Sequence, residues 1–377
     1  MKKTEKEESV EKDCDYMDTK KILIIDDSAF MRRVISDIIK SDSRCEVVGT
    51  ARNGKEGLDK IKELNPDVVT LDIEMPEMNG LEMLEQLKKT NINVPVIVMS
   101  TLAIEGREET IKALELGAID FVTKPQNIFK VDTEEMRVKL INKLLMTVTV
   151  NASKISRQTP ILKSRFNSFN SIRSRSVTKN NCTGISNLVA IGCSTGGPKA
   201  LQYVLPYLPK NLDAGIIIVQ HMPAGFTKSL AQRLNQLSEI KVKEAEDNEI
   251  IEKGTAYIAP GNYHLKVVQD NKCNLIIKLT KDPHLRGHRP AVDIMMNSLV
   301  NLNINNITGV IMTGMGFDGN EGLNNIKKNH DIHIIAQNEE TCVVYGMPKA
   351  VVNSGIADEI VPLESISDSI LKKVGVH

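Results

Sequence analysis

The segment Gly192-Cys193-Ser194-Thr195-Gly196-Gly197 follows the apolar run Leu188-Val189-Ala190-Ile191 and precedes a stretch with helical spacing. Its residues fit G-x-S-x-G, so Ser194 is expected on a tight strand-to-helix turn, its hydroxyl close to backbone N–H donors. Turns of this kind also bind phosphate or simply reverse the chain, so the serine needs partners before it reads as a nucleophile. A base must take its proton, and a third group must hold that base in the right tautomer. His221 directly follows the apolar run Gly215-Ile216-Ile217-Ile218-Val219-Gln220, and Asp318 lies just beyond Ile311-Met312-Thr313-Gly314-Met315-Gly316. Alone, His221 reads as a turn histidine and Asp318 as an Asx-turn residue. Together with Ser194 they place a hydroxyl, an imidazole and a carboxylate at three strand ends. The N–H groups of Thr195 and of the glycine-flanked Met315 are candidate oxyanion donors.

A second constellation lies nearer the N-terminus. Asp26 and Asp27 end one apolar run and Asp72 ends another, so three carboxylates should converge at the carboxyl edge of one parallel sheet. Such crowding repels unless a hard, oxygen-loving cation such as Mg²⁺ compensates it. Ser100 follows the run Val94–Met99 and Lys124 precedes Pro125, adding a hydroxyl and an ammonium suited to phosphoryl oxygens.

The elements that must position these groups alternate regularly. Apolar runs at Ile22–Ile25, Glu46–Gly49, Val68–Leu71, Val94–Met99 and Ile119–Val122 are separated by helical patterns near Ala29–Lys40, Lys55–Leu64, Gly80–Lys89 and Glu108–Leu116. A last helical pattern follows near Glu134–Thr147. This alternation predicts an α/β domain with a doubly wound five-stranded parallel sheet. Between Asn151 and Asn187 the chain turns to Ser, Asn, Lys and Arg without Asp or Glu, which reads as a solvated linker. Alternation resumes from Leu188. The runs Gly215–Val219, Ala256–Ala259, Leu275–Leu279, Thr308–Met312 and Ile332–Ala336 predict a second α/β domain with a larger mixed or mainly parallel sheet. The expected organisation is an N-terminal extension over 1–20, a first domain over 21–148, a linker over 149–187 and a second domain over 188–377.

Lys plus Arg and Asp plus Glu both number 48 among 377 residues, leaving no net electrostatic footprint for nucleic acid. No apolar run reaches the roughly 18 residues of a spanning helix, and residues 1–20 lack a signal-like apolar stretch, so no membrane insertion and a cytoplasmic location are expected. The six cysteines include no C-x-x-C pair and are expected as reduced thiols. The spacings His284-x-x-x-His288 and His330-x-x-His333 lack grouped Cys or acidic ligands and are not read as a zinc site.

Asp26, Asp27, Asp72, Ser100 and Lys124 resemble, in order, the acidic pair, phospho-acceptor, switch hydroxyl and lysine of two-component receiver domains. Phe121 matches the aromatic switch position. That resemblance implies phosphorylation of Asp72 by a histidine kinase, Mg²⁺ held by Asp26, Asp27 and Asp72, and contact of Lys124 with the phosphoryl group. The second half, in Gly192–Gly197, Gln220-His221-Met222-Pro223 and Thr313-Gly314-Met315-Gly316-Phe317-Asp318-Gly319, resembles the catalytic domain of bacterial chemotaxis protein-glutamate methylesterases. Ala259-Pro260-Gly261-Asn262-Tyr263-His264, Arg289-Pro290-Ala291-Val292-Asp293 and Val344-Tyr345-Gly346-Met347-Pro348 extend the match. The resemblance implies a carboxylic ester hydrolase that removes methyl groups from glutamates of methyl-accepting chemoreceptors and deamidates receptor glutamines. Ser194, His221 and Asp318 would be the triad, with no cofactor for the esterase. It also implies a chemotaxis histidine kinase as partner, and a receiver that covers the cleft until Asp72 is phosphorylated. Cys193 stands where the family often has alanine and Phe317 where a polar residue is frequent. The Cys193 side chain is expected to point away from Ser194 as a small buried packing group. Competing readings are a phosphorylation-controlled DNA-binding regulator, a general small-molecule esterase and a non-catalytic scaffold. The first lacks a helix-turn-helix unit and a concentrated basic face.

Overall fold

The computed structural model describes residues 19–124, 133–148 and 185–375. The expected N-terminal extension, apart from its last two residues, and nearly all of the expected linker lie outside these. In the first half, strands β1 (Lys20–Ile25), β2 (Cys45–Ala51), β3 (Val68–Asp72), β4 (Val96–Ser100) and β5 (Asp120–Thr123) alternate with helices α1 (Ala29–Lys40), α2 (Gly54–Leu64), α3 (Gly80–Lys89) and α4 (Ile104–Leu116), and α5 (Thr133–Val148) follows. The sheet order is β2-β1-β3-β4-β5, every pair parallel. Polar residues cap the starts of α1, α2 and α3. The Ser28 hydroxyl accepts from Met31 N–H at α1, and Asn79 and Glu82 form a reciprocal capping box at α3.

The second half contains β6 (Asn187–Cys193), α6 (Gly197–Val204), β7 (Gly215–Gln220), α7 (Phe226–Leu237), β8 (Lys241–Glu244) and β9 (Thr255–Ile258). It continues through β10 (His264–Gln269), β11 (Leu275–Thr280), α8 (Val292–Ser298), β12 (Asn306–Ile311), α9 (Asn320–Asn329), β13 (Ile332–Gln337), α10 (Met347–Asn353), β14 (Glu359–Val361) and α11 (Ile366–Val374). Seven strands pair in parallel in the order β14-β13-β12-β6-β7-β9-β8. The strands β6 and β7 are buried along their whole length, as central strands covered on both faces must be.

One apolar run departs from the expected sheet. Leu275–Leu279 does not join the parallel strands but pairs antiparallel with β10 as a separate two-stranded unit. Its buried positions alternate at the start of the strand, the signature of a strand covered on one face only. The Ser298 hydroxyl at the end of α8 accepts from Val267 N–H and ties this unit to the helix. Among the described cysteines, Cys45, Cys193 and Cys342 are buried thiols, whereas Cys273 is disulfide-bonded, against the expectation of a reduced thiol there.

Candidate functional site

Strand β6 delivers Ser194 to the carboxyl edge of the seven-stranded sheet. The turn into α6 is closed by Gly196 at φ +78°, a conformation that favours glycine. Neighbouring strands deliver the partners: β7 ends one residue before His221, and the loop after β12 carries Asp318. His221 Nε2 lies 2.7 Å from Asp318 Oδ2, with both side chains almost fully buried. Among the described residues Nδ1 is buried without a hydrogen-bond partner, so this nitrogen is open to a proton. The Gly314-Met315-Gly316 segment packs against the serine so closely that a Cβ on Gly314 would lie 2.9 Å from Ser194 Cβ.

Asp318 is held at the start of α8. Its Oδ2 accepts from Val292 N–H at 2.7 Å and its Oδ1 from Asp293 N–H at 2.9 Å, at the first turn of α8. Asp293 answers by accepting from Gly319 N–H and Gly322 N–H at the start of α9, while Arg286 pairs with its other oxygen at 2.6 Å. Burial opposes the charge of Asp318, but the bonds from His221 and these N–H groups outweigh it and hold the carboxyl below its usual range. The imidazole of His288 stacks on that of His221, centroids 3.9 Å apart and rings 7° from parallel. Burial first, then the neighbouring His221, pushes the pKa of His288 down to about 4. Asp293 and Gln220 lie inside sequence motifs that give them no role of their own, and His288 stands out in the sequence only by its spacing from His284. Nothing in linear order marks His288 as lying face to face with His221.

The other sheet edge gathers Asp26, Asp27 and Asp72, whose ligand oxygens lie within 4.8 Å of one another. Lys124 Nζ sits 2.6 Å from Asp72 Oδ2 and 3.0 Å from Asp26 Oδ2. Burial pushes the Asp72 carboxyl up to about 6, with Lys124 opposing and Asp26 adding to the rise. For Lys124, burial opposes the charge, yet the two aspartates outweigh it and raise its pKa. Asp26 Oδ2 is buried and, apart from the Lys124 ion pair, has no hydrogen-bond partner among the described residues. An acidic oxygen set with one such atom suits a hard divalent cation. A cavity of about 180 Å³ lined by Asp27, Asp72, Thr101 and Lys124 opens beside it. The Ser100 hydroxyl is turned toward Thr110 Oγ1 and the Gly106 carbonyl.

These two edges meet through β5. Asp120 accepts from the Thr195 hydroxyl at 2.6 Å, one residue from Ser194. Ile119 packs with Met315, Val343 and Val344. The Phe121 ring lies 4.5 Å from that of Phe226 at the start of α7. Glu115 of α4 pairs with Arg233 of α7 at 2.5 Å and accepts from Gln202 of α6.

Fold and clusters together define a receiver domain joined to an α/β domain that carries serine, histidine and aspartate at adjoining strand ends. The family description "CheB methylesterase" matches residues 189–370, and "response regulator receiver domain" matches residues 22–136. A protein-glutamate methylesterase/protein-glutamine glutaminase of Halalkalibacterium halodurans is 47% identical over 94% of this chain and 98% of its own. One of Pyrococcus horikoshii is 44% identical over 94% of each. The crystal structure of the Thermotoga maritima CheB methylesterase catalytic domain is 43% identical, covers 50% of this chain and 98% of its own, and has a TM-score of 0.48. The chain belongs to the protein-glutamate methylesterase/protein-glutamine glutaminase family, with the receiver and the methylesterase domain both present.

Proposed function

We propose that this protein hydrolyses glutamate methyl esters on chemoreceptors, releasing methanol, and deamidates receptor glutamines, under the control of phosphorylation at Asp72. The observation that carries the reading is the His221–Asp318 pair at 2.7 Å on the strand ends beside Ser194, with Asp120 of the receiver bonded to the next residue, Thr195. Ser194 Oγ attacks the side-chain carbonyl while His221 takes its proton through Nδ1. Asp318, ionised, fixes the imidazole through Nε2 and stabilises the imidazolium. The N–H groups of Thr195 and Met315 receive the oxyanion. The tetrahedral adduct expels methanol, which leaves with the proton from His221. Water then attacks the acyl-enzyme with His221 again as base, freeing glutamate and the serine. A glutamine side chain follows the same course with ammonia leaving. Ester cleavage is the easier of the two, since an alkoxide leaves more readily than an amide nitrogen.

On the receiver, Asp72 accepts the phosphoryl group from a chemotaxis histidine kinase, and Lys124 contacts its oxygens. Asp26, Asp27 and Asp72 would hold Mg²⁺, which supplies neutralisation of the phosphoryl charge when bound. Residues 21–148 act as the regulatory domain, 149–187 as a tether and 188–377 as the catalytic domain. The chain works in the cytoplasm, where receptor signalling helices and kinase are reached without nucleic acid or membrane insertion; no helix among the described residues is long and apolar enough to cross a membrane. The test is methanol release from methylated receptors by wild type, Ser194→Ala and Asp72→Asn, with and without acetyl phosphate and Mg²⁺. Loss of release in Ser194→Ala and loss of stimulation in Asp72→Asn are expected. Undiminished release by Ser194→Ala would refute the reading.

A further inference from the structure

Cys193 and Gln220 stand opposite each other in the parallel pairing of β6 and β7, at the last register position before the two segments diverge into separate turns. The ladder ends with His221 N–H donating to the Cys193 carbonyl at 3.2 Å. Beyond it, the link between the nucleophile segment and the base segment is a side chain. Gln220 Nε2 lies 3.0 Å from the Ser194 carbonyl oxygen and 3.2 Å from that of His221. Both partners are acceptors, so the amide end facing them must be the NH₂, and each of its hydrogens serves one segment. The opposite end, Oε1, lies 3.1 Å from Cys193 Sγ, where the thiol is the donor. The thiol's second acceptor, the Val219 carbonyl, is more distant at 3.9 Å. Gly197 completes the arrangement, since a Cβ there would fall 2.0 Å from Oε1. Gln220 is 2% exposed and Cys193 fully buried, so water does not replace these bonds.

We infer that Gln220 is a positioning residue for the reaction: its amide ties the backbone of Ser194 to the backbone of His221, and the Cys193 thiol fixes which way the amide faces. The inference rests on the reading of Ser194 and His221 as nucleophile and base. Gln220 bonds to two backbone carbonyls and to the Cys193 thiol, not to the Ser194 hydroxyl or the His221 ring. It sets the distance across two strands over which a proton must pass, and a misplacement of about 1 Å in such a geometry can cost about 10²-fold in rate. This also gives Cys193 a role beyond filling space: it supplies the one donor that keeps Oε1 turned away from the two carbonyls.

The experiment uses the full chain with acetyl phosphate and Mg²⁺, and follows methanol release from methylated receptors per folded molecule. Ser194→Ala comes first: if it still releases methanol, the nucleophile assignment fails and the inference fails with it. Given its loss of activity, Gln220→Met, similar in length but without hydrogen bonds, is expected to lower kcat by about 10²-fold with KM within about twofold. A kcat within about threefold of wild type, or a loss carried by KM, overturns the inference while leaving the nucleophile assignment standing. A purely structural role would lower the melting temperature without changing kcat per folded molecule. If Gln220→Met does not fold, the Cys193 pair decides. Cys193→Ser keeps a donor and is expected within about twofold of wild type, whereas Cys193→Ala leaves Oε1 unsatisfied and is expected to lose about five- to tenfold in kcat. Equal turnover by the two Cys193 variants overturns the inference.

Discussion

The imidazole of His221 is held from two directions, by Asp318 in its plane and by His288 against its face. Removing the negative charge of Asp318 should leave the shape intact and present the wrong tautomer to Ser194. Asp318→Asn is therefore expected to lower kcat by on the order of 10⁴ with little change in KM, measured by methanol release. His288 makes a different prediction. Its folded-state pKa, about 4, lies below the ordinary histidine value of 6.5. Between those values the unfolded chain binds more protons than the folded one, so stability is full above pH 6.5 and falls as the pH drops toward 4. The shift corresponds to at most roughly 3 to 4 kcal/mol. His288→Phe keeps a ring against His221 but does not titrate, so its melting temperature should fall less than that of wild type between pH 7 and pH 4.5. Equal falls would show that His288 is not the group being protonated. The meeting of Ser194, His221 and Asp318 at one sheet edge was readable in the sequence because the first two directly follow apolar runs and Asp318 lies in the loop beyond a third. His288 and Gln220 were not legible as site residues, because their roles depend on which ring or carbonyl lies across from them.

At the level of elements, β5 has two faces of responsibility. Its carboxyl end leads to Lys124 at the acidic cluster, and its first residues lie against the turn that carries Ser194. The sequence marked Ile119–Val122 as a strand through its apolar run, and nothing in that run separated residues that pack inside the first domain from those that pack on the second. Asp120 was hidden within it. Its carboxylate bonds the Thr195 hydroxyl and pairs with Lys143 at 2.7 Å, at 9% exposure. A hydrogen bond to a buried charged group contributes about 1.5–3 kcal/mol. Losing it shifts a closed–open equilibrium by roughly 10- to 100-fold, so long as the open form remains the minor one. Asp120→Ala is thus expected to raise methanol release in the absence of phosphodonor by at least about tenfold, while labelling of Asp72 by acetyl phosphate persists. Unchanged basal release would mean that this contact does not restrain the enzyme. The β10–β11 pair carries a similar lesson: its apolar run reads as one more strand of the larger sheet, whereas it pairs antiparallel in a two-stranded unit of its own.

Across the whole molecule, the distance between Asp72 and Ser194 is spanned by elements that each touch both domains. The Ser100 hydroxyl bonds Thr110 within α4, α4 presents Glu115 to Arg233, and β5 presents Phe121 to Phe226. Two domains were legible from the change to a Ser-, Asn- and basic-rich stretch between them. Their mutual surface was not, because Ile119, Phe121 and Phe226 are apolar residues of the kind that also fill a domain's own core. If phosphorylation acts by weakening this surface, its effect and that of Asp120→Ala must converge on one equilibrium. Asp72→Asn should lose labelling by acetyl phosphate and keep the low basal turnover. The double variant Asp72→Asn/Asp120→Ala should then regain the elevated turnover of Asp120→Ala alone, and acetyl phosphate should add nothing to it. Asp120→Ala by itself should respond to phosphodonor by a smaller factor than wild type, since part of the closed population has already been released. A double variant as slow as Asp72→Asn would place the restraint at the phosphorylation site itself, and the interface bonds of β5 would then be a consequence of closure instead of its cause.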